Sequence, residues 1–421
     1  MKRKGNLMEQ KSRIIIIGGG AAGLMAAGNL REKGFVPTVI EHKEKCGQKI
    51  LITGKGRCNV TNQCDIEEFM QNIRRNPRFL YSSISNFAPE DTMDFFESSG
   101  VLLKTERGKR VFPVSDRASD ILNALLKNAS GMNLIHGAVK QILVEDKTII
   151  GIRLKNDKEI EADVVLLCTG GLSYKATGST GDGYRMAEQL GHTIVPPEAS
   201  LVGLTIKGKE CTQMMGLSLK NVELKLLCKG KIVFAEQGEM LFTHFGISGP
   251  IVLSASAHMK MGEQYIVEID LKPALSFEEL DKRLVRDFEK FSNKDVKNVL
   301  SGLLPQKMIP IVLERWGIGD KKTHQVTKQE REKLVLLLKH FEFAIEKKES
   351  VEYAVITAGG VSVKEVNPKT MQSKLVDGLF FAGEILDVDG YTGGFNLQIA
   401  FSTAVAAVGG IQKFIAEREA L

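Results

Sequence analysis

Three glycines, Gly18, Gly20 and Gly23, stand between the β-branched run RIIII at residues 13–17 and the segment LMAAGNLREKG. The spacing G-x-G-x-x-G at a strand-to-helix junction serves a pyrophosphate. One glycine makes a tight turn, one lets phosphate approach the backbone, and one lets the helix pack on the strand. The helix start, with Ala21 and Ala22 in its first turn, offers free N–H groups and the positive end of a dipole. Glu41 lies 18 residues beyond Gly23, at the end of the next predicted strand. A carboxylate there accepts hydrogen bonds from ribose hydroxyls and repels a 2′-phosphate.

These residues suit NAD and FAD equally, and the segment DGLFFAGEILDVDGYTGGFNLQIAFSTA separates the two. Its predicted strand ends in Gly383-Glu384, an acidic loop follows with Asp387 and Asp389, and Gly393-Gly394-Phe395-Asn396 opens a helix. A ribityl chain needs hydroxyl partners, for which Glu384 and Asp389 are candidates. A flavin also gains negative charge at its N1–C2 edge on reduction, where the helix start at residues 394–397, ending in Leu397, sets a positive dipole. A nicotinamide dinucleotide has no use for two such distant segments, so FAD is expected as the resident cofactor, with NADH or NADPH as a transient co-substrate.

Further candidates sit in the loop at residues 47–62, rich in Gly, Lys, Arg and Asn, the composition of backbone wrapped around an anion. Lys49, Arg57, Asn59 and Val60 are expected to line the cofactor, and a cation near N1 favours the reduced flavin. Thr169-Gly170-Gly171 follows another predicted strand and joins this set, as do His42 and Val139. For catalysis the candidates are His244, Arg57 and Asn396. His244, in LFTHFGISGP, is an imidazole able to exchange protons near neutral pH or a structural residue of a glycine-rich turn. Tyr391 and Phe395 suit ring stacking and core packing alike. Cys58 is a candidate thiol, but Cys58 and Cys64 lack the spacing of flavin disulfide reductases. The six cysteines contain no CxxC pair, and no metal site is expected.

The elements that position these groups follow from periodicity. Strands are predicted at residues 13–17, 36–40, 163–168 and 378–382, with a helix ending at Gly34 and another over residues 397–408. Residues 195–270 carry short alternating segments such as ELKLLCKGKIVF, the texture of an antiparallel sheet or small barrel. From Ser276 to about Lys348 the chain becomes charged and helical, and Ser276 with Glu279 forms a capping box. The nucleotide fold is therefore read as split. The 421 residues have room for two or three domains, and 43% hydrophobic with 26% charged residues is ordinary for a globular chain. The net charge of +6 is dispersed, so no nucleic-acid partner is expected. The apolar run in MKRKGNLMEQKSRIIII is too short for a signal core, and no stretch is read as approaching a membrane span, so a cytoplasmic location is the default. Oligomeric state is not legible.

The blocks GGGAAG, GQKILITGKGRCNVTN, GEMLFTHFGISGPIVLSAS and ITAGGVSVKEVNPKTMQSKLVDGLFFAGEILDVDGYTGGFNLQIAFSTA together resemble the bacterial flavoproteins of the BaiN or YhiN type. That family comprises NAD(P)/FAD-dependent oxidoreductases, variously described as aminoacetone oxidase family enzymes and as reductases of unsaturated steroid ketones. The resemblance implies an α/β, Rossmann-like FAD-binding fold of the GR2 type, with a β-barrel insertion and a small helical insertion. The expected division is 1–195 and 349–421 for the FAD domain, 196–272 for the barrel and 273–348 for the helices. TGSTGDGYRMAEQLGH is also similar to fumarate reductase and succinate dehydrogenase flavoproteins, without an evident counterpart of their dicarboxylate-gripping residues. The expected activity is two-electron hydride transfer at flavin N5 on a small organic substrate, in a cavity between the FAD domain and the insertion. An FAD-dependent RNA-modifying enzyme and a flavin-binding redox sensor are the alternatives.

Overall fold

The computed structural model describes residues 12–420; the start of the basic amino-terminal extension, residues 1–11, lies outside them. The chain forms two compact units, one running to Ala199 and resuming at Val351, the other Ser200–Ser350.

The first unit is built on a five-stranded parallel sheet in the order Leu379–Phe381, Val164–Leu167, Ile14–Ile17, Thr38–Glu41 and Asn133–His136. All four residues of Ile14–Ile17 are buried, as expected where helices and loops cover both faces of a parallel strand. Each of the four predicted strands is present, offset by one or two residues. The strand Leu379–Phe381 arrives after the second unit, so the nucleotide fold is split as its sequence pattern implied. Ala21–Glu32 is the crossover helix, and Gly34, at φ +86°, ends it.

The helix predicted over residues 397–408 extends over Phe395–Glu419. It is long and apolar enough to cross a bilayer, which corrects the reading that no stretch approaches such a span. In this unit 67% of its most apolar stretch is buried. Gln398, Ser402 and Thr403 are fully buried on it and hydrogen-bonded, Gln398 Nε2 and Ser402 Oγ both donating to the Phe87 carbonyl at 3.0 and 2.7 Å. The helix is apolar nearly all round because it runs through the core.

The second unit is a closed six-stranded barrel, Leu204–Ile206, Gly246–Ser248, Lys231–Phe242, Ser218–Cys228, Tyr265–Asp270 and Phe341–Lys348, whose last strand pairs back onto the first. Lys229 and Gly230, at φ +51° and +74°, make the two-residue turn of its longest hairpin. The helix Phe277–Lys290 starts at the predicted capping box: Ser276 N–H donates to Glu279 Oε2 at 2.8 Å, and Glu279 N–H to Ser276 Oγ at 3.2 Å. The expected separation of 196–272 from 273–348 is not what the chain does. Phe341–Lys348, read as part of a helix, is the sixth barrel strand, and the helices between the fifth and sixth strands share one apolar core with the barrel. Its sequence FEFAIEKK alternates buried and exposed residues with period two, a signal masked by the helical segment that precedes it.

Candidate cofactor-binding site

The fingerprint glycines divide into two kinds. A Cβ on Gly18, at φ +105°, would lie 2.5 Å from the Cys168 carbonyl oxygen, and one on Gly23 would lie 1.9 Å from the Gly18 oxygen. These two are glycine because the fold leaves no room. A Cβ on Gly20 would meet nothing within 4 Å, so that side of the backbone faces open space at the start of Ala21–Glu32. That is the opening a pyrophosphate needs. Gly383, at φ +80°, brings the end of its strand against the same helix, 3.0 Å from Ala22 Cβ by its own virtual Cβ.

Glu41 is 8% exposed and ends its strand. Its Oε2 accepts from Gly19 N–H and its Oε1 from Lys43 N–H, both at 2.8 Å. A carboxylate has about four acceptor positions, so two remain for ribose hydroxyls. His42 Nδ1 lies 3.5 Å from Glu41 Oε1. Gly47, at φ +70°, docks the next loop by donating its N–H to the Gly19 carbonyl at 2.9 Å.

Lys49 and Glu384 meet across 335 residues of sequence, Nζ to Oε2 at 2.8 Å, and Lys49 also donates to Ser173 Oγ at 2.7 Å. Glu384 Oε1 accepts from Ser173 Oγ at 3.0 Å and from Thr357 N–H at 2.9 Å. Thr357 Oγ1 in turn accepts from the N–H groups of Leu172 and Ser173. This network fixes the loop after Gly170-Gly171 against the end of the Gly383 strand. Ser173 and Thr357 were missed in the sequence; only the position of Thr357 just before Ala358-Gly359-Gly360 in a quoted block pointed to it.

The carboxy-terminal turn is equally constrained. Gly394, at φ +100°, sits so close to Thr61 that a Cβ would lie 2.3 Å from its carbonyl. Asn62 Nδ2 donates to the Gly393 carbonyl at 3.0 Å, and Thr61 Oγ1 to Gln398 Oε1 at 2.6 Å. Asn396 closes a ring with Gly390: Oδ1 accepts from Gly390 N–H and Nδ2 donates to its carbonyl, both at 2.8 Å. Its side chain thus shapes the loop ahead of the helix. Asp389 is nearly fully buried with Arg75 Nε 3.5 Å away. Phe395 packs edge-on against Phe69 at 5.2 Å, and Leu397 lies at the edge of the core. Val60 and Val139 are buried, Val60 N–H donating to Val111 and Val139 pairing with Leu154.

Two oxygens among these elements, Thr169 Oγ1 and Asn59 Oδ1, are buried with no hydrogen-bond partner. Buried polar atoms are seldom left so, and an unpaired one invites a ligand. With the opening at Gly20 they fit a flavin dinucleotide lying along the glycine turns.

Other expected residues are placed elsewhere. Arg57 pairs with Glu106 and with Asp116, and its guanidinium lies 4.2 Å over the Phe112 ring, so its charge is already matched within that cluster. Those carboxylates raise its pKa further. Cys58 is fully buried, and burial pushes its thiol up to about 12; Cys64 is pushed up to about 11 by the same cause. Both are free thiols and neither is poised as a thiolate nucleophile. His244 lies in the second unit, exposed, in the turn between Lys231–Phe242 and Gly246–Ser248, with Phe245 edge-on at 5.1 Å.

Residues 12–410 match the family described as HI0933-like protein Rossmann domain. A ribosomal RNA dihydrouridine synthase of Haemophilus influenzae is 34% identical over 95% of this chain and 98% of its own length. A 3-dehydro-bile acid delta(4,6)-reductase of Clostridium scindens is 33% identical over 94% and 98%. A second ribosomal RNA dihydrouridine synthase, from Escherichia coli, is 30% identical over 93% and 96%. Among solved structures, a 3-ketosteroid-delta4-(5alpha)-dehydrogenase of Rhodococcus jostii RHA1 superposes with a TM-score of 0.50 at 13% identity, covering 98% of both chains.

Proposed function

We propose, from the premise that this chain belongs to the HI0933-like Rossmann family of FAD-binding oxidoreductases, that it reduces a carbon–carbon double bond conjugated to a carbonyl group. The observation that carries this reading is the pair of relatives spanning the whole chain, one named for ribosomal RNA dihydrouridine and one for a bile acid delta(4,6) reduction. Uracil and an unsaturated steroid ketone have little in common except a double bond next to a carbonyl. FAD, when bound, supplies two electrons as hydride at N5, and NADH or NADPH is the donor that replenishes them.

The chain's own residues hold that cofactor. The opening at Gly20 and the N–H groups of Ala21 and Ala22 receive the pyrophosphate, and Glu41 receives the ribose. Thr169 Oγ1 and Asn59 Oδ1 would find partners in the bound group, and the start of Phe395–Glu419 would offer its positive dipole to negative charge that the flavin gains on reduction.

For the substrate, uridine in ribosomal RNA is the first reading. It sets aside the expectation of no nucleic acid, because two relatives carry that name. A small enone is the second, favoured by the bile acid relative. The test is to titrate the purified yellow protein anaerobically with NADH and NADPH, then offer it ribosomal RNA lacking dihydrouridine or a 3-oxo-Δ4 steroid. Flavin bleaching by one nucleotide and reoxidation by only one of the two acceptors is the expected result. A colourless protein that FAD cannot reconstitute would sink the reading.

A further inference from the structure

We infer that Arg74 holds the carbonyl oxygen of the substrate beside the flavin; the inference rests on the double-bond reduction proposed above. Arg74 is the middle residue of the strand Ile73–Arg75, which pairs antiparallel with Asp389–Gly390. Tyr391 N–H donates to the Asn72 carbonyl at 3.0 Å, so this strand frames the loop leading into the Gly393-Gly394 turn. Side chains alternate along a strand. Ile73 is buried in the core, and Arg75 pairs with Glu198, with Asp387 at 3.4 Å and with Asp389 at 3.5 Å. Arg74 turns the other way, its guanidinium carbon 5.7 Å from the centre of the Tyr391 ring.

Three other basic side chains of this unit contrast with it. Lys49 is matched by Glu384, Arg57 by Glu106 and Asp116, and Arg75 by three acids. Among the described residues, Arg74 has no carboxylate within ion-pair distance, and its Nε is buried without any hydrogen-bond partner. A guanidinium is charged at every working pH and offers five donors, so a partly buried one without an acceptor is set to receive one.

The chemistry that suits it is a neutral carbonyl that becomes an oxyanion. When hydride from the NAD(P)H-reduced flavin adds to the β-carbon, the double-bond electron pair shifts through the α-carbon and charge appears on the carbonyl oxygen. A proton from solvent water then goes to the α-carbon and the carbonyl is restored. A fixed cation at that oxygen acts most strongly as the charge develops. Uracil and an enone both present such an oxygen.

The test uses the FAD-loaded protein and the phenolate of 4-hydroxybenzaldehyde, an oxyanion on a flat ring whose stacking on oxidised flavin is followed by a long-wavelength charge-transfer band. Arg74→Gln is expected to raise the phenolate Kd by about thirtyfold, the size of a lost charged hydrogen bond. Arg74→Lys should recover part of it, and FAD affinity should be the same in all three proteins. Equal phenolate affinity across the three, or no phenolate binding by the loaded wild-type protein, would overturn the inference. So would an Arg74→Gln protein that loses FAD while its loaded fraction binds phenolate normally, since Arg74 would then serve the cofactor. Failure of the wild-type protein to take up FAD would instead overturn the underlying reading.

Discussion

The split α/β unit and the barrel unit use polar side chains in opposite ways. In the first, hydrogen bonds join Lys49 to Glu384, Thr61 to Gln398 and Asn62 to Gly393, across 335, 337 and 331 residues of sequence. They converge on glycine turns, and two buried oxygens beside those turns remain without partners. In the second unit, Arg315 pairs with Glu210 and stacks on Phe341 and Phe343 at 4.1 and 4.7 Å, while Lys339 pairs with Asp270 at 2.5 Å. There the charges tie helices to a barrel with an apolar interior. One unit is organised around a ligand's outline; the other is closed on its own core.

Glycine substitutions give the largest effects with which to break this contrast. Gly23→Ala drives a Cβ into the Gly18 carbonyl, and Gly394→Ala does the same at Thr61 from a backbone of φ +100°. Each is expected to cost about 3 kcal/mol or more and to abolish FAD retention, read by thermal unfolding and bound-flavin absorbance. Gly20→Ala meets no protein atom within 4 Å. Its stability should stay within about 0.5 kcal/mol of wild type while FAD affinity falls about tenfold or more. A Gly20→Ala protein that binds FAD normally would remove the pyrophosphate assignment.

Why the glycine turn was legible and Arg74 was not follows from the same physics. Gly18, Gly20 and Gly23 are short-range requirements of one turn, so their spacing survives in the sequence, and Glu41 follows at a distance set by one helix and one strand. Lys49 was found from loop composition and Glu384 from the carboxy-terminal segment, but their pairing was not, because a contact over 335 residues leaves no local pattern. Arg57 has the same composition signal and faces Glu106 and Asp116 instead. Arg74 sits in a three-residue strand, too short for alternation to register. The strand Phe341–Lys348 does alternate, yet it follows directly on the helix Lys328–Lys339 and was absorbed into it.

The Lys49–Glu384 pair is the next lever. Both side chains are mostly buried, at 23% and 14% exposed, so removing one leaves the other charge without its partner. Lys49→Met is expected to destabilise the apoprotein by about 2 kcal/mol, the usual size for a lost charged hydrogen bond. Combined with Glu384→Gln it should do less than the sum of the two. A double-mutant cycle on chemical unfolding measures the coupling, and strict additivity would mean the network does not hold the loop.

A pH scan probes the first unit's core away from the cofactor. His192 has a fully buried side chain, with Nε2 2.9 Å from Ser373 Oγ. Burial holds its pKa below the ordinary 6.5, opposed by nearby Glu365. The unfolded chain therefore binds the proton more readily than the folded one. This contribution to stability is full above about pH 6.5 and declines as the pH falls from there through the folded pKa. His192→Gln should flatten that part of the stability profile, and an unchanged slope between pH 7 and 5 would assign the decline to other groups.

The smallest effect is expected at His244, and it sharpens the comparison most directly. The residue is exposed in a barrel turn, and that turn is held by backbone and by Thr243: Thr243 N–H donates to the Gly246 carbonyl at 2.8 Å, and Gly246 N–H to Thr243 Oγ1 at 3.1 Å. Among the described residues, the imidazole makes an edge contact with the Phe245 ring. His244→Ala should therefore leave unfolding within about 0.5 kcal/mol and FAD content unchanged. Turnover is then the informative quantity, because neither fold nor cofactor confounds it. A large drop in kcat with KM preserved would place proton transfer in the barrel unit, whereas unchanged turnover would leave the chemistry to the residues around the glycine turns.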